Sequence, residues 1–203
     1  MKQLDSVFKY AGVAAIPVYI AFTLISHLYL PQANPLENWL SDYGNKILNP
    51  GGAAFYNAGC VLTALLLALF YIGMYRWYSR ERTSRKFNIC YVFAQICGFL
   101  SSVFLIFTAI FTLGTDTALH SIFAQAHMMA MDFFINFTAI GFLLNPKINK
   151  AVGIFGFFIS IFNIVTTNAF TDFFIAEWIY FLSFMIYVVL ITLIYEQLVQ
   201  KKM

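Results

Sequence analysis

Charge is what this sequence has least of. Only 10% of its 203 residues are Asp, Glu, Lys or Arg, while 61% are hydrophobic. A soluble domain carries about 25% charged and about 45–50% apolar residues. The composition therefore excludes an ordinary soluble fold and points to an all-α integral membrane protein. Cysteine is scarce as well. Cys60, Cys90 and Cys97 all fall in apolar stretches and form no CxxC pair. No disulfide framework is expected, and each reads as a small core residue. There is no Gly-x-Ser-x-Gly elbow, no phosphate-binding glycine loop and no His-x-x-x-His pair. The net charge of +3 is too mild to suggest nucleic acid as a partner.

Long apolar runs are what is present. Six of them, at about 10–30, 53–75, 90–113, 118–144, 151–170 and 178–198, reach the roughly 20 residues that a membrane helix needs. They predict one domain, a six-transmembrane-helix bundle, and leave no room for a separate soluble domain. The first run is too long for a signal peptide and no small-x-small site follows it, so it reads as an uncleaved helix with Pro17 inside. The longest polar connection, 31–52, has turn signals at Asn34-Pro35 and Asn49-Pro50-Gly51. Between them, Leu36, Trp39 and Leu40 predict the apolar face of a short interfacial helix.

Lysine and arginine set the expected orientation. With the N-terminus in the cytoplasm, Lys2, Lys9, Arg76, Arg80, Arg82, Arg85, Lys86, Lys147, Lys150, Lys201 and Lys202 are all cytoplasmic, and only Lys46 is outside. This asymmetry predicts a multi-pass protein of the cell membrane with both termini cytoplasmic, an external loop at 31–52 and a basic cytoplasmic loop at 76–89. Membrane lipids, anionic headgroups among them, are the expected partners.

The stretch 114–136 concentrates polar groups on an apolar helix: His120, Gln125, His127, Asp132 and Asn136. Such groups are costly in a membrane and mark function. His120 and His127 share a helix face, with His127 roughly 10 Å deeper. They are too far apart to hold one metal together. A zinc site would pair one of them with Asp42 or Asp172; the alternative is a histidine bonded across helices. Asp132 sits near the expected bilayer middle with Asn136 one turn on, and Gln95 and Asn88 are its candidate partners. It reads either as a hydrogen-bonded structural group or as a proton-coupling or catalytic one. Glu37, Asp42, Asp116, Asp172 and Glu177 fall in the expected external loops.

The first loop carries a resemblance. Ser41-Asp42-Tyr43-Gly44, then Asn49-Pro50, then Phe55-Tyr56-Asn57-Ala58-Gly59 resembles a six-helix family of archaea and bacteria catalogued as a membrane domain of unknown function. That family has a Ser-Asp-aromatic/Leu-Gly loop after its first helix and a Phe-Asn-x-Gly start to its second, from which Tyr56 departs. The loop is also similar to the Ser-Asp-x-Gly loop of the Frag/DRAM membrane proteins. The resemblance implies the architecture and the importance of Ser41, Asp42, Gly44 and Asn57, and lends no activity. On the residues alone, Ser41 or Asp42 can cap a turn and Gly44 can adopt a left-handed conformation, which suits a plug over the outer mouth of the bundle.

The resulting expectation is a protein that binds a lipid or other amphiphile in a pocket open to the extracytoplasmic side. Ser41, Asp42, Asn57, His120, His127 and Asp172 are its candidate ligand-binding residues. One alternative is a membrane-embedded lipid hydrolase or transferase using His127, Asp132 or Asp42, with or without a divalent metal. Another is a small proton-coupled transporter using Asp132. The sequence leaves open whether the protein is an enzyme.

Overall fold

The computed structural model describes residues 2–77, 85–169 and 173–199. Asp172, Arg80, Arg82, Lys201 and Lys202 lie outside them. Six long helices follow one another: α1 (Lys2–His27), α2 (Ala53–Gly73), α3 (Arg85–Ile110), α4 (Thr117–Leu144), α5 (Lys150–Ala169) and α6 (Phe174–Leu193), with a single-turn α7 (Tyr195–Leu198) after them. Five of them are long and apolar enough to cross a membrane; in α5 the apolar stretch, Lys150–Thr166, is shorter.

The helix ends depart from the apolar runs for physical reasons. An apolar run marks where a helix meets apolar surroundings, not where its hydrogen bonding begins. Thus α1 starts at Lys2, well before the first run, because the polar residues up to Lys9 continue the same helix. It stops at His27, where the Tyr29 and Leu30 N–H groups bond back three residues in tight turns. Glu177, expected in a loop, lies in the first turn of α6, where the helix dipole favours a carboxylate.

Each long helix packs against its neighbours in sequence, and α6 packs back against α1, so the bundle is a ring in chain order. Lys9 on α1 and Glu196 on α7 form an ion pair of 2.9 Å, which puts both ends of the described chain at one end of the bundle. Six helices around one axis leave a wide centre, and aromatic rings fill it. Phe70, Tyr71, Phe134, Tyr180 and Tyr187 form its middle. Tyr71 meets Phe134 edge-on at 4.8 Å, an arrangement that aromatic quadrupoles favour. Leu24, Leu62, Ile122, Phe158 and Leu182 face outward and are exposed, as expected of a wall facing lipid rather than water.

The helices are not level at the end that carries residues 28–52. Tyr180, less than two turns into α6, bonds to Asp132, which is about four turns into α4. At 1.5 Å per residue, α6 begins about 13 Å lower than α4. The first loop lies over this step. The Glu177 carboxylate accepts the Leu40 N–H at 2.7 Å, and the Trp178 indole donates to the Asn38 carbonyl at 3.0 Å.

The loop does not form the expected interfacial helix. Its one regular piece is a 3₁₀ turn, Leu40–Gly44. Leu40 and Tyr43 point into the bundle, while Leu36 is 71% exposed, so Leu36 and Leu40 share no apolar face. The turn forms because Asp42 accepts the Trp39 N–H at 3.1 Å. Gly44 is not left-handed; Gly114, with φ of 84°, is the positive-φ glycine. Gly44 is required instead by close approach, since a Cβ there would stand 2.6 Å from Asn57 Oδ1 and 2.9 Å from the Tyr56 ring.

Candidate functional site

Near mid-length of the bundle lies a cavity of about 30 Å3, measured as space open to the centre of a water molecule. Every long helix except α5 contributes to its wall. Gly12, Ala15, Ile16 and Tyr19 come from α1, Thr63 and Leu67 from α2. Leu105 comes from α3, and His127 and Met131 from α4. From α6 come Phe181, Phe184, Met185 and Val188. Gly12 and Ala15 make the room, because they hold α1 side chains short where four other helices converge.

The cavity does not reach the loop end. Above it stand Tyr19 and Tyr56, whose hydroxyls bond at 2.8 Å, and then Tyr43 of the loop, 6.1 Å from Tyr56 between ring centres. The lining residues that keep some exposure are Ile16, Phe181 and Met185, all on α1 and α6. These half-buried residues lie along the seam where α6 packs against α1.

The surface of the cavity is wholly apolar, although two of the residues that line it, His127 and Thr63, are polar. His127 is 3% exposed. Its Nδ1 lies 2.9 Å from the Ser101 carbonyl and 2.9 Å from the Ser101 hydroxyl. A carbonyl can only accept, so Nδ1 carries the proton and Nε2 bears a lone pair. Nε2 is buried and has no hydrogen-bond partner. The Thr63 hydroxyl oxygen, on a residue 7% exposed, is likewise without one. Buried polar groups are nearly always paired, and each exception calls for an explanation.

A second polar cluster ties α4 to α5 and α6. The Asp132 carboxylate, 8% exposed, accepts from the Tyr180 hydroxyl at 2.9 Å and from the Asn163 amide at 2.6 Å, and Ser160 also hydrogen-bonds to it. Asn136, one turn on, donates to the Ser160 hydroxyl at 2.8 Å. The partners are therefore not the expected Gln95 and Asn88; Gln95 donates to the Ile72 carbonyl.

The other expected site residues are spread apart. His120 donates Nδ1 to the carbonyls of Thr108 and Phe111, at 3.0 and 2.9 Å, and so caps the end of α3. Asp42 is engaged by its own turn, and Asn57 donates to the Gly44 carbonyl at 3.0 Å. Ser41 belongs to that turn. None of the four lines the cavity, and Asp172 lies outside the described residues. Among the described residues, no three His, Cys, Asp or Glu side chains come together as a metal cluster. The loop is held from below by Asn49, whose amide donates to the Ser26 hydroxyl at 2.9 Å and the Tyr43 carbonyl at 3.0 Å. Tyr43 bonds through its hydroxyl to His27 Nδ1 at 2.9 Å, and burial pushes its phenol above the ordinary range.

Residues 13–194 match the family model described as Protein of unknown function (DUF998). The chain belongs to the DUF998 family. No curated protein matches it, and no solved structure does. The match covers α1 of this DUF998 chain from residue 13 on, the other five long helices, the loop and every cavity-lining residue but Gly12. Sequence reasoning missed Thr63, Ser101, Asn163 and Tyr180. Asn163 had a signal, an amide within an apolar run of the kind that drew attention to Asp132. Thr63 and Ser101 had none beyond being hydroxyls in apolar helices.

Proposed function

We propose that this membrane protein binds a lipid or other amphiphile in its central cavity, and that the ligand enters from the bilayer between α1 and α6. The observation that carries the reading is the apolar cavity itself, walled by five of the six long helices. Entry past the half-buried Ile16, Phe181 and Met185 suits a molecule dissolved in the membrane. In this reading Ser41, Asp42, Asn57 and His120 hold the loop and the end of α3 in place, and Asp132 fastens α5 and α6.

The accompanying topology is six spans, α5 included, with both ends in the cytoplasm. The Lys9–Glu196 pair supports an even number of crossings, and the lysine and arginine asymmetry supports the direction. The first loop then faces the extracytoplasmic side.

Native mass spectrometry of the protein released from mild detergent tests the binding. A discrete lipid adduct is expected, reduced in His127→Ala. A bare chain in both proteins would sink the reading. A second reading, a lipid hydrolase or transferase, is favoured by one feature: the fixed tautomer of His127 leaves Nε2 free to act as a general base. It requires conversion of added lipid by the wild type and none by His127→Ala, followed by chromatography of extracted lipids. Unaltered lipid in the wild type would end it.

A further inference from the structure

We infer that the cavity holds the methyl end of a lipid's hydrocarbon chain, inserted tail first between α1 and α6 while the polar head stays at the membrane surface. This rests on the reading of the cavity as a lipid site, and it names the end of the ligand that the site takes.

The chemistry of the wall decides against the head. Its surface is wholly apolar, and no Asp, Glu, Lys or Arg lines it. His127 Nδ1 is turned to Ser101 on α3, and the Tyr19 hydroxyl to Tyr56 on α2. A head group drawn in would leave its water behind and meet no hydrogen-bond partner on that surface, which is costly for a neutral head and more so for a charged one. Cavities walled by aliphatic and aromatic groups take apolar guests instead.

Depth points the same way. The lining residues lie near the middle of α1, α2, α4 and α6. In α6, Phe184 is the eleventh of 20 residues. At 1.5 Å per residue it stands about 15 Å from the start of the helix, half of the roughly 30 Å of a bilayer's hydrocarbon core. Lipid chains from either leaflet end at that depth, whereas their heads lie about 15 Å away. Size limits how much of the chain enters. A water needs about 10–15 Å3 of such space, and about 30 Å3 are present. That is room for about two or three groups of that size, a methyl and the methylenes next to it. The rest of the chain stays among the bilayer lipids, beyond Ile16, Phe181 and Met185. Met131 and Met185 line the space, and unbranched methionine side chains adapt to whatever fills a gap beside them. The site therefore reads the end of a chain and is indifferent to the head.

Two phosphatidylcholines test the orientation. Each carries one aliphatic diazirine, on the penultimate carbon of a chain in the first and on a carbon beside the head in the second. The full-length protein is irradiated with either probe in lipid nanodiscs, and labelled residues are mapped by tandem mass spectrometry. Helix α4 supplies its own reference, because Met131 lines the cavity and is 0% exposed while Met129 is 59% exposed. Relative to Met129, the chain-end probe is expected to label Met131 severalfold more than the near-head probe does. Ala15→Leu fills the cavity from α1 and is expected to lower that labelling severalfold with Met129 unchanged. Val188→Ala enlarges the cavity and is expected to raise it, which keeps the test open if Ala15→Leu does not fold. Equal labelling of Met131 by the two probes would overturn the tail-first assignment and leave lipid binding standing. Labelling of Met131 that neither substitution changes would overturn it too. If neither probe reaches Met131 while both label Met129, no lipid enters the cavity and the binding reading falls with it.

Discussion

Asn49 shows what single residues do in this molecule. It is fully buried, and its amide donates to Ser26 and Tyr43 while its Oδ1 accepts the Gly52 N–H at 3.1 Å. Asn49→Ala removes these three buried side-chain hydrogen bonds, each worth about 0.5–1.5 kcal/mol, while the Gly52 N–H keeps the Asn49 carbonyl and the Tyr43 carbonyl keeps the Ser26 hydroxyl. A thermal melt in detergent should show it several degrees below wild type, with Glu37→Ala, on the exposed part of the same loop, melting within a degree or two of wild type. Tyr43 adds a pH dependence. Its folded pKa is raised by burial, so its contribution is complete below pH about 10, where an exposed tyrosine is still neutral. It is lost as pH rises through the folded value. The melting temperature should fall in that alkaline window, and less steeply in Tyr43→Phe. The sequence marked Asn49 only as part of a turn, because turn chemistry is local and its partners lie on α1 and on the preceding turn. Gly44 and Asn57 were singled out through the loop motif, but the cause differs: contact between them, not backbone handedness. The free nitrogen of His127 could not be read at all, since it is fixed by a carbonyl 26 residues away.

At the scale of elements, α6 joins the loop, the polar cluster and the cavity. Glu177 and Trp178 hold the loop, Tyr180 holds Asp132, and Phe181, Phe184, Met185 and Val188 wall the cavity. Hydrogen bonds between membrane helices are modest, about 0.6 kcal/mol on average and up to about 1.7. Tyr180→Phe should destabilise by that order in a reversible unfolding assay. Glu177→Ala should speed hydrogen exchange at the Leu40 amide, measured on peptides from the first loop, with α2 peptides unchanged. Every one of the six helices was legible as an apolar run, because hydrocarbon-facing positions dominate each of them. Their ends were not legible. Charged residues precede the run of α1 and Glu177 lies in the first turn of α6, so a run that begins only after the charge begins too late for both helices.

For the whole molecule, the testable quantities are direction and access. In a cysteine-free background, Lys46→Cys should react with a membrane-impermeant maleimide on intact cells, and Lys147→Cys only after permeabilisation. The reverse pattern would invert the orientation. Access through the α1–α6 seam predicts that Ile16→Trp, placed where the cavity meets the lipid, reduces the co-purifying adduct by several-fold while the melting temperature stays near that of wild type. Polar residues suggested a mouth at the loop end, and only the packing of Tyr19, Tyr56 and Tyr43 shows that end closed.

The ring in chain order also bears on how the protein is made. As helices leave the ribosome and enter the membrane, each meets the neighbour it keeps, so the bundle can zip up hairpin by hairpin without rearrangement. One contact must wait for the end of synthesis: α6 against α1. The last step of biogenesis is therefore also the step that shapes the cavity's doorway. Because Lys9 and Glu196 bring the two ends of the chain together there, a gene whose ends are joined by a short linker and reopened between α2 and α3 should still yield the same ring, now with the α1–α6 hairpin made early. Such a permuted protein would melt like the original if chain order is only a matter of sequence of assembly.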